Sequence, residues 1–119
     1  ILSMIKHESA GQPDAIGDAG YSHGLMQLRI NPDDEISPAV ETVRRRTSLP
    51  YKDPREMTAT ENIRYGTEYL RLMTSDLGGS FYDGIRAYLC GPGTAKANTS
   101  CGSREATERV SDAGGQREQ

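Results

Sequence analysis

Apolar residues open the chain at helical spacing: Ile1, Met4 and Ile5 fall at i, i+3 and i+4, and Glu8 at i+7 lies on the same stripe. The pattern predicts a helix that ends near Gly11, with Lys6 and His7 on its solvated side. Residues 11 to 24 hold Gly11, Gly17, Gly20 and Gly24, a density that suits a tight backbone path rather than regular structure. The short apolar segment "LMQLRI" follows and is stopped by Pro32.

Ser37-Pro38 reads as an N-cap with proline at the first helical position, opening a short helix to about Arg46. "SLPYKDP" is a linker within the domain. Thr58 and Glu61 have capping-box spacing, and the helix behind them carries Ile63, Tyr69, Leu70 and Met73 up to Gly78-Gly79. Ser80 caps a further helix with Phe81, Ile85, Tyr88 and Leu89 at helical spacing, broken by "GPG" at 91–93. "REATERVSDA" forms one last short helix and "GGQREQ" frays. With no alternating strand of useful length, the class is mainly α.

At 119 residues the chain is one domain, and with 34% hydrophobic residues, no Trp and one Phe its core is thin. A formal net charge of -3 argues against a dedicated nucleic-acid binder, whose footprint would be basic. Arg44-Arg45-Arg46 reads as a solvated helix face. No apolar run reaches the roughly 18 residues of a membrane span. Starting at Ile1, the chain has the look of a mature product or a module of something longer. Cys90 and Cys101 lack zinc-site spacing and could close one loop.

Three constellations bear on chemistry. Gly20-Tyr21-Ser22-His23-Gly24 fits the nucleophile-elbow pattern, but it lacks the preceding strand and the later histidine that a hydrolase triad requires. His7 and His23 lack metal-ligand spacing, so neither a metal nor another cofactor is expected. Glu8 is the sharper candidate. A carboxyl among apolar neighbours that stays protonated suits general-acid work on a glycosidic oxygen. A carboxyl just past the buried part of the helix is simply solvated, and periodicity leaves both readings open.

"ESAGQPDAIGDAGYSHGLMQL", continued by "ENIRYGTEYL" and "AYLCGPG", resembles the successive motifs of the lytic transglycosylase and goose-type lysozyme superfamily. The ordered set covers residues 1 to about 93, and the tail weakly resembles the closing helix. The resemblance implies a lysozyme-like helical domain that cleaves the β-1,4 bond between N-acetylmuramic acid and N-acetylglucosamine in peptidoglycan. It makes Glu8 the catalytic acid/base, sets Ser9 beside it, and gives Met26, Gln27 and Tyr88 to the sugar. Asn62 and Gly66 match helix-packing positions.

Asp18 lies where goose-type lysozymes hold a hydrolytic water, but Arg29 stands where a second aspartate is expected. The third and fourth positions of the Ala-Tyr-Asn-Ala-Gly turn are here Leu89 and Cys90, which weakens the site or rebuilds the turn around a Cys90–Cys101 bridge. The resemblance therefore implies a lytic transglycosylase working outside the cytoplasm, alone or in a phage or secretion assembly. A hydrolytic muramidase and a catalytically silent wall-binding module are the alternatives.

Overall fold

The computed structural model describes the backbone of residues 1–117 and the side chains of residues 1–113. Six α-helices lie among the described residues, α1 (Leu2–Ser9), α2 (Pro38–Arg46), α3 (Ala59–Asp76), α4 (Phe81–Cys90), α5 (Pro92–Ala97) and α6 (Ser103–Arg117). The mainly α expectation holds. Two compact units divide the chain: Met4–Tyr69 form one, and Ile1–Ser3 with the residues from Leu70 onward form the other.

The Met4–Tyr69 unit contains what the sequence did not announce, a small antiparallel sheet of β1 (Ile16–Gly17), β2 (Ser22–His23) and β3 (Leu28–Arg29) in that order. Ile16 pairs with His23, and His23 with Leu28. Strands of two residues are too short to show alternation, which is why the segment read as irregular. Side chains buried in this unit include Met4, Leu25, Met26, Leu28, Ile30, Val40, Val43, Tyr65 and Tyr69.

Capping follows the sequence closely. The Ser37 hydroxyl accepts from Val40 N at 3.3 Å. At α3 the box is reciprocal: Glu61 N donates to Thr58 Oγ1 at 3.1 Å, and Thr58 N donates to Glu61 Oε1 at 2.9 Å. Lys52 Nζ donates to both oxygens of the same carboxylate, which pulls the Glu61 pKa down to about 2. The "SLPYKDP" stretch is thereby pinned to α3, and Tyr65 adds a 2.6 Å bond to the Pro50 carbonyl.

Helix α1 departs from its pattern. Ile1 is 39% exposed, whereas Ser3 and Met4 are fully buried and His7 and Glu8 are both half-buried. The covered arc therefore takes in Ser3, Met4, Ile5, His7, Glu8 and Ser9, and so includes the histidine placed on the solvated side. A polar residue can head this arc because Ser3 Oγ donates to the Arg109 carbonyl at 2.6 Å.

In the unit from Leu70 onward, the Ser80 hydroxyl accepts from Asp83 N at 3.3 Å and starts α4. Gly91, at φ 85°, ends that helix, but Pro92 then begins α5 rather than a loop. Residues 91–102 are held twice. Cys90 and Cys101 form a disulfide, so the turn is built around that bridge. Arg86, 3% exposed, donates from Nε to the Cys101 carbonyl, from Nη2 to those of Ala95 and Asn98, and from Nη1 to Asp83, at 2.6–2.9 Å. Gly84 is required where α4 meets Thr74: an added Cβ would overlap the Thr74 side chain and lie 2.9 Å from its Cα.

Helix α6 runs past the short helix expected, through Gly114 and Gly115 to Arg117. Glycine weakens a helix by about 1 kcal/mol without stopping it. Residues 118–119 of the expected frayed end lie outside the described residues.

Candidate active site

Glu8 is the penultimate residue of α1, half-buried. The helix stops because Ala10 and Gly11 take left-handed conformations at φ 52° and 79°, with Ala10 N closing the last turn onto the Lys6 carbonyl at 3.1 Å. Ser9 is buried, and its hydroxyl donates to the Ile5 carbonyl at 3.1 Å, one turn back. Its oxygen serves the helix that carries Glu8.

From Gly11 the chain turns into the sheet. Asp18 and Ala19 both have positive φ, 50° and 57°. Left-handed backbone at an alanine costs about 1–2 kcal/mol, which the surrounding contacts must offset. Asp18 Oδ2 accepts the Ser22 hydroxyl at 2.5 Å, closing the β1–β2 turn from inside. That hydroxyl, central to the elbow-like pattern, is 2% exposed within the unit and committed to this bond.

The Gly-Leu-Met-Gln loop between β2 and β3 is organised by two carboxamides. Gln27, at φ 50°, donates from Nε2 to the carbonyls of Ala15 at 3.0 Å and Gly24 at 2.9 Å. Its Oε1 lies over Gly17, where an added Cβ would sit 2.5 Å away. Asn62, on the first turn of α3 and 2% exposed, accepts Met26 N at Oδ1 (2.7 Å) and donates from Nδ2 to the His23 carbonyl (2.9 Å). Met26 is wholly buried against Gly66, where a Cβ would come within 2.6 Å of the Met26 Cβ. It supports the loop from beneath instead of lining a surface.

A cavity of about 300 Å³ is lined by Asp14, His23, Gly24, Arg55, Met57 and Asn62 among others. Arg55 is tied to Asp53 and Glu35, and holds the Asp53 carboxyl below the ordinary carboxylate range. Among the described residues no group of three or more His, Cys, Asp or Glu could hold a metal ion.

The structure thus joins Gln27, Gly17 and Gly24 into one loop system, and Asp18 with Ser22 into another. Tyr88, in the other unit, is half-buried on α4, two residues before the bridged Cys90. By motif resemblance alone Asn62 matches a helix-packing position. Its signal was a carboxamide on the buried stripe of α3, in register with Tyr65, Gly66 and Tyr69, since a buried amide calls for polar partners.

A helical domain with a glutamate closing its first helix, followed by a small sheet and a Gly-Leu-Met-Gln loop, has the lysozyme-like plan. The Transglycosylase SLT domain profile matches residues 1–110, and the chain belongs to that family. No curated protein and no solved structure matches it. Members of the family act on peptidoglycan, which sets their work outside the cytoplasm. Among the described residues, no helix is long and apolar enough to cross a membrane.

Proposed function

We propose that this domain is a peptidoglycan lytic transglycosylase in which Glu8 is the single acid/base. The observation that carries the reading is the family match, which includes Glu8 at the end of α1. Protonated Glu8 donates to the glycosidic oxygen between N-acetylmuramic acid and N-acetylglucosamine as the sugar takes on oxocarbenium character. The 2-acetamido group of the sugar assists in place of a protein nucleophile. Glu8, now a carboxylate, takes the proton of the 6-hydroxyl, whose oxygen closes a 1,6-anhydro ring on the anomeric carbon.

Gln27 and Tyr88 are the proposed glycan contacts. Because the Gln27 Nε2 is engaged by two carbonyls, its Oε1 is the atom offered to a sugar hydroxyl. Ser9 and Met26 serve beneath, the first on the Glu8 helix and the second under the loop. Asp18 as a water-holder belongs to the hydrolytic alternative. Its bond to Ser22 and the presence of Arg29 after Leu28 favour the lytic route, since a hydrolytic water needs anchoring groups of its own.

The test is clearing of purified sacculi by wild type and Glu8→Gln, with mass spectrometry of the released muropeptides. Loss of the acid/base should lower the rate about 100- to 10,000-fold while the thermal melt stays cooperative. Wild-type products should carry anhydro ends. Reducing ends would assign hydrolysis, and undiminished clearing by Glu8→Gln would overturn the assignment. Wall binding with no release of fragments by the wild type would point to the silent module.

A further inference from the structure

We propose that Asn62 is a positioning residue for the glycan reaction, acting through the Gly24–Gln27 loop; the inference rests on the lytic reading above. Three observations converge. The Asn62 carboxamide is almost fully buried, and both of its ends are used on one loop: Oδ1 takes Met26 N–H and Nδ2 gives to the His23 carbonyl. These two bonds flank Gly24 and Leu25, so the amide spans the loop as a bracket. Gly24 lies directly on it, at φ 84°, and an added Cβ there would overlap the amide nitrogen and carbon.

The bracket continues to Gln27, the next residue after Met26. Gln27 folds its own amide back onto the carbonyls of Gly24 and Ala15, so Gly24, which the two Asn62 bonds flank, is the residue common to both systems. A shift of the loop away from Asn62 moves the Gln27 Oε1 with it. The support behind Asn62 is firm: its backbone N–H donates to the Thr58 carbonyl at 2.9 Å, inside the capping box that Lys52 fastens through Glu61. A rigid helix start therefore sets the position of a loop whose own strands are two residues long.

A packing residue would need only volume, whereas this role needs a donor and an acceptor at fixed places. That difference makes the two separable. Asn62→Ala keeps neither. Asn62→Asp keeps the acceptor for Met26 N–H but, ionised, turns an oxygen toward the His23 carbonyl. Protonated, it offers a hydroxyl to that carbonyl and regains both bonds. The titratable and charged groups that line a cavity with Asn62 are Asp14, His23 and Arg55, and Glu61 is its neighbour in the capping box, so the wild-type pH profile is the reference that removes their contribution.

The experiment follows fragment release from purified peptidoglycan by wild type, Asn62→Ala, Asn62→Asp and the Glu8→Gln control, over a range of wall concentrations and from about pH 4 to pH 7. Thermal melts and amide exchange at Met26 are measured on the same samples. Asn62→Ala should remain folded and lose about 100-fold in kcat, the scale of a small misplacement at a reacting centre, with a lesser change in KM. Its Met26 amide should exchange faster while amides late in α3 do not. Asn62→Asp should match the alanine variant near neutrality and recover relative to wild type as the pH falls.

A folded Asn62→Ala that cleaves at the wild-type rate overturns the proposal, as does an Asn62→Asp variant with no acid-side recovery. If Asn62→Ala does not fold, the aspartate variant carries the comparison, because its protonated form has the native donor and acceptor. If wild type is no faster than Glu8→Gln, the lytic reading fails. Met26 exchange unchanged by substitution at Asn62 would overturn the bracket itself, independently of activity.

Discussion

Reduction of the Cys90–Cys101 bridge asks a quantitative question of the α4–α5–α6 segment, because the same loop is held by a second device. The bridge closes a sequence separation of 11 residues. Chain-entropy reasoning assigns such a closure about 3 kcal/mol, exerted on the unfolded chain. For a chain of this length that corresponds to a fall in Tm of about 10 °C. Arg86 acts on the folded state instead, satisfying the carbonyls of Ala95, Asn98 and Cys101. Arg86→Lys keeps the charge but cannot reach all three, and leaving buried carbonyls unmet costs about 2–3 kcal/mol.

Since one device acts on the unfolded ensemble and the other on native contacts, their effects should add. Urea unfolding of wild type and Arg86→Lys, each with and without a phosphine reductant, measures the four corners. The cost of reduction should be about 3 kcal/mol in both backgrounds. A negligible cost in wild type together with a large one in Arg86→Lys would refute the reasoning. It would show that the bridge is a native-state brace redundant with the guanidinium.

Two further substitutions probe the packing and the cap. Gly66→Ala puts a methyl against Met26 and should lower stability by about 1–3 kcal/mol by thermal melt; the same substitution made in a Met26→Ala background should cost less if the Met26 Cγ and Cε are the cause. Glu61, held by Lys52 and Thr58 well below its ordinary pKa of 4.5 at about 2, stabilises the folded state above pH 4.5, and that contribution is lost as pH falls through about 2. The Tm difference between wild type and Glu61→Gln should therefore be present at neutral pH, narrow below pH 4.5 and vanish near pH 2; a difference independent of pH would assign the effect to the helix cap alone.

The caps at Ser37, Thr58 and Ser80 were legible because their signals are local and involve named side chains. The sheet was not: strands of two residues leave no periodicity to read. Nor was Arg86, since its partners are backbone carbonyls, which every residue possesses and no sequence pattern marks. Helix α5 hid behind a Gly-Pro-Gly that reads as a breaker, although proline at N1 starts helices as readily as it ends them. For the proposed site, motif resemblance points to Glu8 and Gln27. The inward turn of Gln27 and the two-ended use of Asn62 depend on loop coordinates that residue types do not specify.

The bond from Ser3 to the Arg109 carbonyl joins positions 106 apart in sequence. The path of the chain therefore returns to its own first helix, and α6 is described as far as Arg117, about 12 Å further along its axis. A tie of about eight extended residues, reaching about 26 Å, is long enough to link Ser3 covalently to Arg117, the last residue described. The ring could then be reopened at the exposed Asp33–Asp34 tip. The order in which these helices are written along the gene is thus separable from the arrangement they adopt.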